Sequence, residues 1–285
     1  MSDLLIHGHT QRLVDGYVES PTQAILLTGP KGVGKGSLAY HLAEQALSLE
    51  NTSFKEYAYG LRVLPDKDKT SIGIEKVREL EQFLALKVPR TAAYNRGVII
   101  ENADMLTTEA QNALLKTLEE PPEGTVLILT ATHQKALLPT IISRVQTIPV
   151  QRPEKSKITA HFAQKFPDAS IDQKYAISGG LPGLLHSLLE DDEHPLLNAT
   201  ESARGLLQQT TYERLLQVDT LAKDKGLAAD TVYILQQMAH VSLQSATGST
   251  AKKWQGILKA SHEATEALQA NAQPKLVLTN LMLQL

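Results

Sequence analysis

Apolar and polar positions follow different patterns in the first and second halves of the chain. In the first half, short continuous apolar runs alternate with stretches in which apolar residues recur every three or four positions. The runs predict strands that are buried on both faces, and the wider spacing predicts helices, as over residues 74–84. This alternation is typical of a parallel, doubly wound α/β sheet. The predicted strands are 24–28, 57–63, 97–100, 125–130 and 145–150.

After the last predicted strand, only helical spacing is found. Short helices are predicted near residues 155–166, 171–177 and 183–189. A charged, proline-ended segment at 191–195 indicates a linker. From 197 to 285 the helical pattern continues, and it is most simply interpreted as a packing or oligomerisation surface.

These changes of pattern divide the chain into three predicted domains. An α/β domain occupies residues 1–151, a small helical domain 152–193, and a second helical domain 194–285. The predicted fold class is therefore α/β plus all-α. A chain of 285 residues is long enough to bury a substantial core.

Composition says more about the class and cellular location of the protein than about the chemistry that it performs. The net charge of −3 lacks the strongly basic signature of a nucleic-acid binder, so any contact with DNA is local or made through partners. The absence of cysteine excludes disulfides and thiolate metal sites, and it fits a reducing compartment. The sequence has no basic leader pattern and no apolar run of membrane-spanning length. We therefore expect a cytoplasmic protein without a membrane partner.

A glycine-rich stretch at residues 29–37 carries the clearest chemical signal. It lies between a predicted strand and a predicted helix, which is the context of a phosphate-binding P-loop. Gly29, Gly32 and Gly34 allow backbone N–H groups to turn towards a phosphate, and Lys35 supplies a full positive charge. The alternative interpretation is a glycine-rich turn that binds no ligand.

The same stretch lacks one group that a magnesium site needs. A P-loop normally has Ser or Thr directly after its lysine, because that hydroxyl binds Mg²⁺. Here the position is Gly36, and Ser37 comes one residue later, about 100° further around the helix. The sequence therefore predicts a phosphate site that is poorly equipped for the metal.

The acidic half of such a site is expected after the strand at 97–100. Glu101 occupies the position of a Mg²⁺-holding acid, and Asn102 follows where a general base is expected. An amide has no basic lone pair, so Asn102 does not serve as a base. The alternative is that Glu101 and Asp104 are solvated loop acids, and for Asp104 we expect this.

A Ser143-Arg144 pair follows a short helical pattern at the far end of the predicted sheet domain. An arginine at this place is able to reach out of its own domain, and arginines given to a neighbour accelerate phosphoryl transfer by about 10³–10⁵. Taken alone, the pair is far more typical of an ordinary surface arginine.

Three stretches together resemble the clamp-loader branch of the AAA+ proteins. They are residues 29–37, 138–144 and 111–122, the last reading QNALLKTLEEPP. That helix is similar to one in the gamma/tau and delta-prime subunits of bacterial DNA polymerase III. The segment 271–276 is similar to the start of the last collar helix of delta-prime, so the resemblance spans the whole chain.

The resemblance implies a role for several residues. It makes Arg144, preceded by Ser143, an arginine finger that acts in trans on a neighbouring ATPase subunit. It places the first sensor on or near Thr132, and a proline, Pro182, near the second-sensor arginine of the motor subunits. It also implies an AAA+ P-loop domain, a helical lid domain and a C-terminal collar domain.

A finger that is present beside a degraded nucleotide site resembles delta-prime more than gamma/tau. The degraded positions are Gly36, Asn102 and Pro182. We therefore expect no intrinsic ATPase and no required cofactor, with ATP or ADP possible in the degenerate loop. Zinc is not expected, because the four cysteines of the zinc module of many relatives are absent. The alternatives are a gamma/tau-like ATPase with Mg²⁺ on Glu101, or a protein that holds ATP without cleaving it.

The partners that the resemblance implies are gamma/tau motor subunits and a delta subunit in a ring of five. Through that complex the chain would act on a sliding clamp and primer–template DNA. The C-terminal helices would join the collar of the ring.

Overall fold

The computed structural model describes residues 4–65, 71–89, 92–167 and 169–285, except the side chain of Gln269. The chain divides into two units, Met1–Glu154 and Lys155–Leu285. The boundary lies three residues after the predicted end of the α/β domain. The further division of the helical part at residue 193 stays a prediction.

In the described part of the first unit, five parallel strands form one sheet in the order β2-β3-β4-β1-β5. All five lie within or close to the predicted ranges. The second strand is shorter than predicted, because residues before Gly60 form turns that are closed by backbone hydrogen bonds. The strands are β1 (Ala24–Thr28), β2 (Gly60–Val63), β3 (Arg96–Ile100), β4 (Thr125–Ala131) and β5 (Gln146–Pro149).

Helices cover the sheet, as the doubly wound prediction requires. Their apolar faces pack into a core in which Leu80, Leu114 and Leu129 are fully buried. The described helices of this unit are α1 (Gly8–Glu19), α2 (Lys35–Ala46), α3 (Ile74–Ala85), α4 (Thr108–Glu119) and α5 (Pro139–Ile142). Because β1, β3 and β4 are buried along their whole length, they hold the loops at their carboxyl ends in fixed positions.

The start of α4 shows a local contact that organises the neighbouring loop. Thr107 is the N-cap, and its hydroxyl accepts a hydrogen bond from the N–H of Ala110. Gln111 is buried, and its side-chain oxygen accepts from the N–H of Leu138 at 2.8 Å. Gln111 therefore ties α4 to the segment that leads into α5.

The second unit is helical throughout its secondary structure in the described residues. Its core joins Ile177 and Leu188 to buried residues of later helices, such as Leu235. The central element is α11, which packs against α7, α9 and α12. The helices are α6 (Lys155–Lys165), α7 (Ile171–Ser178), α8 (Pro182–Glu190), α9 (Pro195–Gln208), α10 (Thr211–Leu221), α11 (Lys225–Leu243), α12 (Gly248–Gln269) and α13 (Pro274–Gln284). Among the described helices, none has the length and apolarity to span a bilayer.

Leu114 lies in the core of the first unit and has no exposed surface, so its truncation tests the packing of that core. We expect Leu114→Ala to lower the free energy of unfolding by about 2–5 kcal/mol, because it removes buried apolar contacts and leaves a cavity. Urea denaturation followed by far-ultraviolet circular dichroism measures the change. Leu115→Ala, on the same helix but only partly buried, should cost less. Equal losses from the two variants would contradict this account of the core.

Candidate functional site

The carboxyl edge of the sheet brings the predicted site residues to one place. In parallel strands all carboxyl ends lie at the same edge, where open α/β sheets bind ligands. Gly29 follows β1, Glu101 follows β3, and β4, which lies between them, leads into Thr132. The next strand outward, β2, carries Arg62. The edge therefore runs from Arg62 through Glu101 and Thr132 to the glycine-rich loop.

The backbone of the loop at 29–37 has conformations that require glycine. The φ angles are 155° at Gly29, 83° at Gly32 and 103° at Gly34, all in the region that L side chains rarely adopt. A Cβ on Gly29 would also lie 2.5 Å from the carbonyl oxygen of Val150. These conformations fit the phosphate-cradling loop that the sequence predicts.

Lys35 is the first residue of α2 and is largely buried beneath the loop. Its Nζ donates to the carbonyl oxygens of Gly29 at 2.7 Å and Pro30 at 3.0 Å. Burial lowers the pKa of the Lys35 ammonium, and the carboxylate of Asp104 acts against that by raising it. The ammonium is thus held at the loop, on the side where Asp104 supplies a counter-charge.

The metal half of the site does not fit Mg²⁺. Gly36 has no hydroxyl, although a Cβ there would meet nothing closer than Glu101 Oε2 at 4.0 Å. Ser37 is exposed on α2. Within the described ranges, no three His, Asp or Glu side chains are grouped closely enough to hold a metal ion. A serine would fit at position 36, so the missing hydroxyl is not a consequence of crowding.

Two neighbours already occupy one oxygen of Glu101. Its Oε1 accepts a hydrogen bond from the Tyr40 hydroxyl at 2.5 Å and lies 3.3 Å from Nη2 of Arg62. Burial raises the pKa of Tyr40, and the hydrogen bond to Glu101 raises it further. The Arg62 guanidinium also lies 5.3 Å from the centroid of the Tyr40 ring. We call Tyr40, Arg62 and Glu101 the Glu101 cluster.

Sequence reasoning found Glu101 but missed its two neighbours. Tyr40 lies on α2 five residues after Lys35, and Arg62 is the one charged residue in β2. A charged residue within a short strand was the available signal for Arg62. Nothing in the sequence pattern indicates that its partner is Glu101, because β2 and β3 are separated by the whole of α3.

Asn102 is exposed and has the left-handed backbone conformation, with φ 54° and ψ 55°. Its N–H donates to Thr130 Oγ1 at 2.9 Å. Asparagine tolerates this conformation better than most residues. The residue after Glu101 therefore presents an amide to solvent, where a hydrolytic site needs a base.

The expectation that Asp104 is a solvated loop acid is wrong. Its Oδ2 accepts hydrogen bonds from the Thr132 hydroxyl at 2.7 Å and the Thr132 N–H at 3.2 Å. Its Oδ1 is buried and makes no hydrogen bond to any described residue. Asp104 therefore positions Thr132 at the end of β4, because a buried carboxylate strongly favours its donors.

Arg144 lies at the opposite edge of the sheet. It precedes the amino end of β5, whereas the glycine-rich loop follows the carboxyl end of β1. Its Nη1 donates to Thr140 O at 2.9 Å and lies 3.2 Å from Ser143 Oγ, and its Nη2 lies 2.6 Å from Glu119 Oε1. The side chain is still 34% exposed. Arg144 is thus held on the surface of its own unit.

Pro182 lies in the second unit, as the first residue of α8, and is buried. Proline fits the first turn of a helix because its missing N–H would have no helical partner there. The position therefore presents no cationic side chain.

Comparison with known proteins relates this arrangement to one family. A sequence model of the family described as DNA polymerase III, delta subunit, matches residues 17–154. The delta' subunit of DNA polymerase III from Pseudomonas aeruginosa is 33% identical over 178 residues, covering 56% of this chain and 53% of that protein. The tau subunit from Bacillus subtilis is 32% identical over 143 residues, covering 46% of this chain and 25% of that protein. The chain spans about half, or less, of the length of these curated relatives.

Solved structures show the same fold over nearly the whole chain. A DNA polymerase III gamma subunit-related protein from Thermotoga maritima aligns over 96% of this chain and 97% of its own, with a TM-score of 0.55 and 21% identity. The RuvB Holliday junction branch migration motor of Thermotoga maritima covers 96% and 86%, with a TM-score of 0.51 and 14% identity. At these identities the likeness shows the fold alone, and it confirms the predicted α/β fold with a helical C-terminal part.

The family model matches residues within the α/β unit, which carries the glycine-rich loop, Glu101 and Arg144. The matched relatives include both delta' and tau subunits, as the motifs at 29–37 and 111–122 indicate. The predicted resemblance is confirmed: the α/β unit is similar in sequence to delta' and tau subunits of DNA polymerase III.

Proposed function

We propose that this chain is a delta-prime-like clamp-loader subunit that does not hydrolyse ATP and lends Arg144 to a neighbouring ATPase subunit. The observation that carries the proposal is the position of Arg144 at the amino edge of the sheet. The extended chain from Gln146, where β5 begins, to Val150, which lies beside the glycine-rich loop, spans about 13 Å. A guanidinium at that distance serves a site outside its own cleft.

The contacts around the loop support the other half of the proposal. Hydrolysis by P-loop proteins needs a metal held by a hydroxyl and an acid, and a group that orients the attacking water. Here Gly36 offers no hydroxyl, Glu101 is already bonded to two side chains, and Asn102 is not a base. The cleft retains groups that bind phosphate and lacks those that cleave it.

The partners follow from the family. The relatives are named as delta', tau and gamma/tau subunits of DNA polymerase III. We therefore propose gamma/tau motor subunits and a delta subunit as partners in a five-membered ring, which loads a sliding clamp on primer–template DNA. In this proposal the protein is cytoplasmic, and contact with clamp and DNA is made through the complex.

A second candidate is a protein that holds ATP without cleaving it, and the loop favours it. The three glycines have the conformations of a phosphate cradle, and Lys35 is in place. The third candidate, an active gamma/tau-like ATPase, requires Glu101 to exchange its present partners for Mg²⁺.

Arg144→Ala tests the finger. In the reconstituted complex we expect one phase of single-turnover ATP hydrolysis to slow by about 10³-fold or more, because one site loses the charge that stabilises its transition state. Rapid-quench measurement of phosphate release resolves that phase. Folding should be retained, since a partly exposed ion pair such as Arg144–Glu119 contributes about 1 kcal/mol or less.

The matched control is Arg12→Ala, which removes an exposed arginine from α1 of the same unit. It should leave every phase of hydrolysis unchanged. Unaltered turnover in the Arg144→Ala complex, with the subunit shown to be incorporated, would remove the finger assignment.

The purified chain alone tests the absence of hydrolysis. We expect its phosphate release in the presence of Mg²⁺ to equal that of Lys35→Ala, because neither protein assembles a metal with a base. Turnover that disappears in Lys35→Ala would instead favour the gamma/tau-like ATPase.

A further inference from the structure

The Glu101 cluster places a protein cation where P-loop ATPases hold a metal. Arg62 Nη2 lies 3.3 Å from Glu101 Oε1, and the Tyr40 hydroxyl donates to the same oxygen. The Glu101 side chain is 21% exposed, so the contact is partly shielded from solvent. A second cation, Lys55 Nζ, lies 5.4 Å from the centroid of the Tyr40 ring.

We propose that Arg62 replaces Mg²⁺ as the counter-cation of Glu101, and that the glycine-rich loop takes a nucleoside triphosphate in its metal-free form. The proposal rests on the loop at 29–37 as a phosphate site and is independent of the finger. It assigns the ligand as the free polyphosphate anion, and it gives Arg62 and Tyr40 the role of setting that preference.

Mg²⁺ would have to compete with Tyr40 and Arg62 for Glu101. Mg²⁺ requires near-octahedral oxygen ligands at about 2.0–2.1 Å, and a protein site usually supplies one or two carboxylates. Oε1 already accepts from Tyr40 and Arg62, and Oε2 faces Gly36, which has no oxygen on its side chain. An incoming Mg²⁺ would have to displace the guanidinium and the phenol with no second protein ligand to compensate.

The positive charges of Arg62 and Lys35 also favour binding of a polyphosphate anion without a metal. Arginine stays protonated at every physiological pH, so its charge beside Glu101 is permanent. Lys35 lies at the loop with its Nζ on the carbonyl oxygens of Gly29 and Pro30. A polyphosphate would meet this ammonium and the N–H groups of the loop. Because Glu101 is neutralised by Arg62, it repels the anion less than a bare carboxylate would.

Two substitutions, at Gly36 and Arg62, are expected to restore a metal site beside Glu101. A Cβ on Gly36 would lie 4.0 Å from Glu101 Oε2, which is ordinary contact, so Gly36→Ser is expected to be accommodated. The hydroxyl would then supply the missing ligand beside Glu101. Removal of Arg62 would release Glu101 as a second ligand. These two changes together should therefore create Mg²⁺ dependence.

The experiment is equilibrium titration of the purified full chain with a fluorescent ATP analogue, in Mg²⁺ and in EDTA. We expect the dissociation constants in the two buffers to agree within about twofold, and Lys35→Ala to weaken binding in both. Tightening by Mg²⁺ of about tenfold or more, or binding that does not depend on Lys35, would overturn the proposal.

The double variant Gly36→Ser/Arg62→Ala should bind about tenfold or more tightly in Mg²⁺ than in EDTA. Lys55→Ala is the matched control, since Lys55 also lies over the Tyr40 ring but makes no ion pair with Glu101. It should bind equally in both buffers. Circular dichroism melts establish that each variant is folded, and Arg62→Ala and Gly36→Ser are also measured singly. A folded double variant that binds the ATP analogue equally tightly in Mg²⁺ and in EDTA would contradict the assignment of Arg62 as the counter-cation of Glu101.

A failure of the metal-free binding proposal can be distinguished from a failure of the proposed role of Arg144. This titration reports only on the chain's own cleft, whereas the Arg144→Ala experiment reports turnover in a partner's site. Either result can be obtained whatever the outcome of the other.

Discussion

The pairing of the Glu101 carboxylate determines how well the cleft can hold a metal ion. Glu101 lies at the end of a buried strand, where a P-loop protein would direct it at a metal, and here it is bonded to Tyr40 and Arg62. An acid that is paired with a permanent cation has little to gain from Mg²⁺, since the exchange costs two existing bonds. The other departures, at Gly36 and Asn102, act in the same direction.

The parallel sheet places the glycine-rich loop and Arg144 at opposite edges. Every carboxyl end lies at one edge, so the glycine-rich loop, Thr132 and the Glu101 cluster share a cleft. Arg144 precedes the amino end of β5 and lies at the other edge. This topology places the glycine-rich loop on one side of the sheet and Arg144 on the other, as the proposed role of Arg144 in a neighbour's site requires.

Much of the fold could be predicted, because strands and helices leave periodic signals. Continuous apolar runs located β1, β3 and β4, the strands that are buried along their whole length, and the glycines at 29–34 marked the turn between β1 and α2. Asp104 was misjudged for a different reason. A short acidic loop residue is usually solvated, and only the packing of the turn at Ala103–Met105 against the end of β4 shows that Thr132 donates to Asp104 twice.

The sequence by itself determined the order of elements, the loop conformation, the missing hydroxyl at Gly36 and the family resemblance. These are local properties, set by backbone sterics and by the identity of single residues. Only the tertiary structure decided which side chains meet. Arg62 and Glu101 are far apart along the chain and become neighbours because β2 pairs with β3. Pairing across a sheet depends on long-range contacts that no local pattern records, so the state of the Glu101 carboxylate was visible only once the strands were in place.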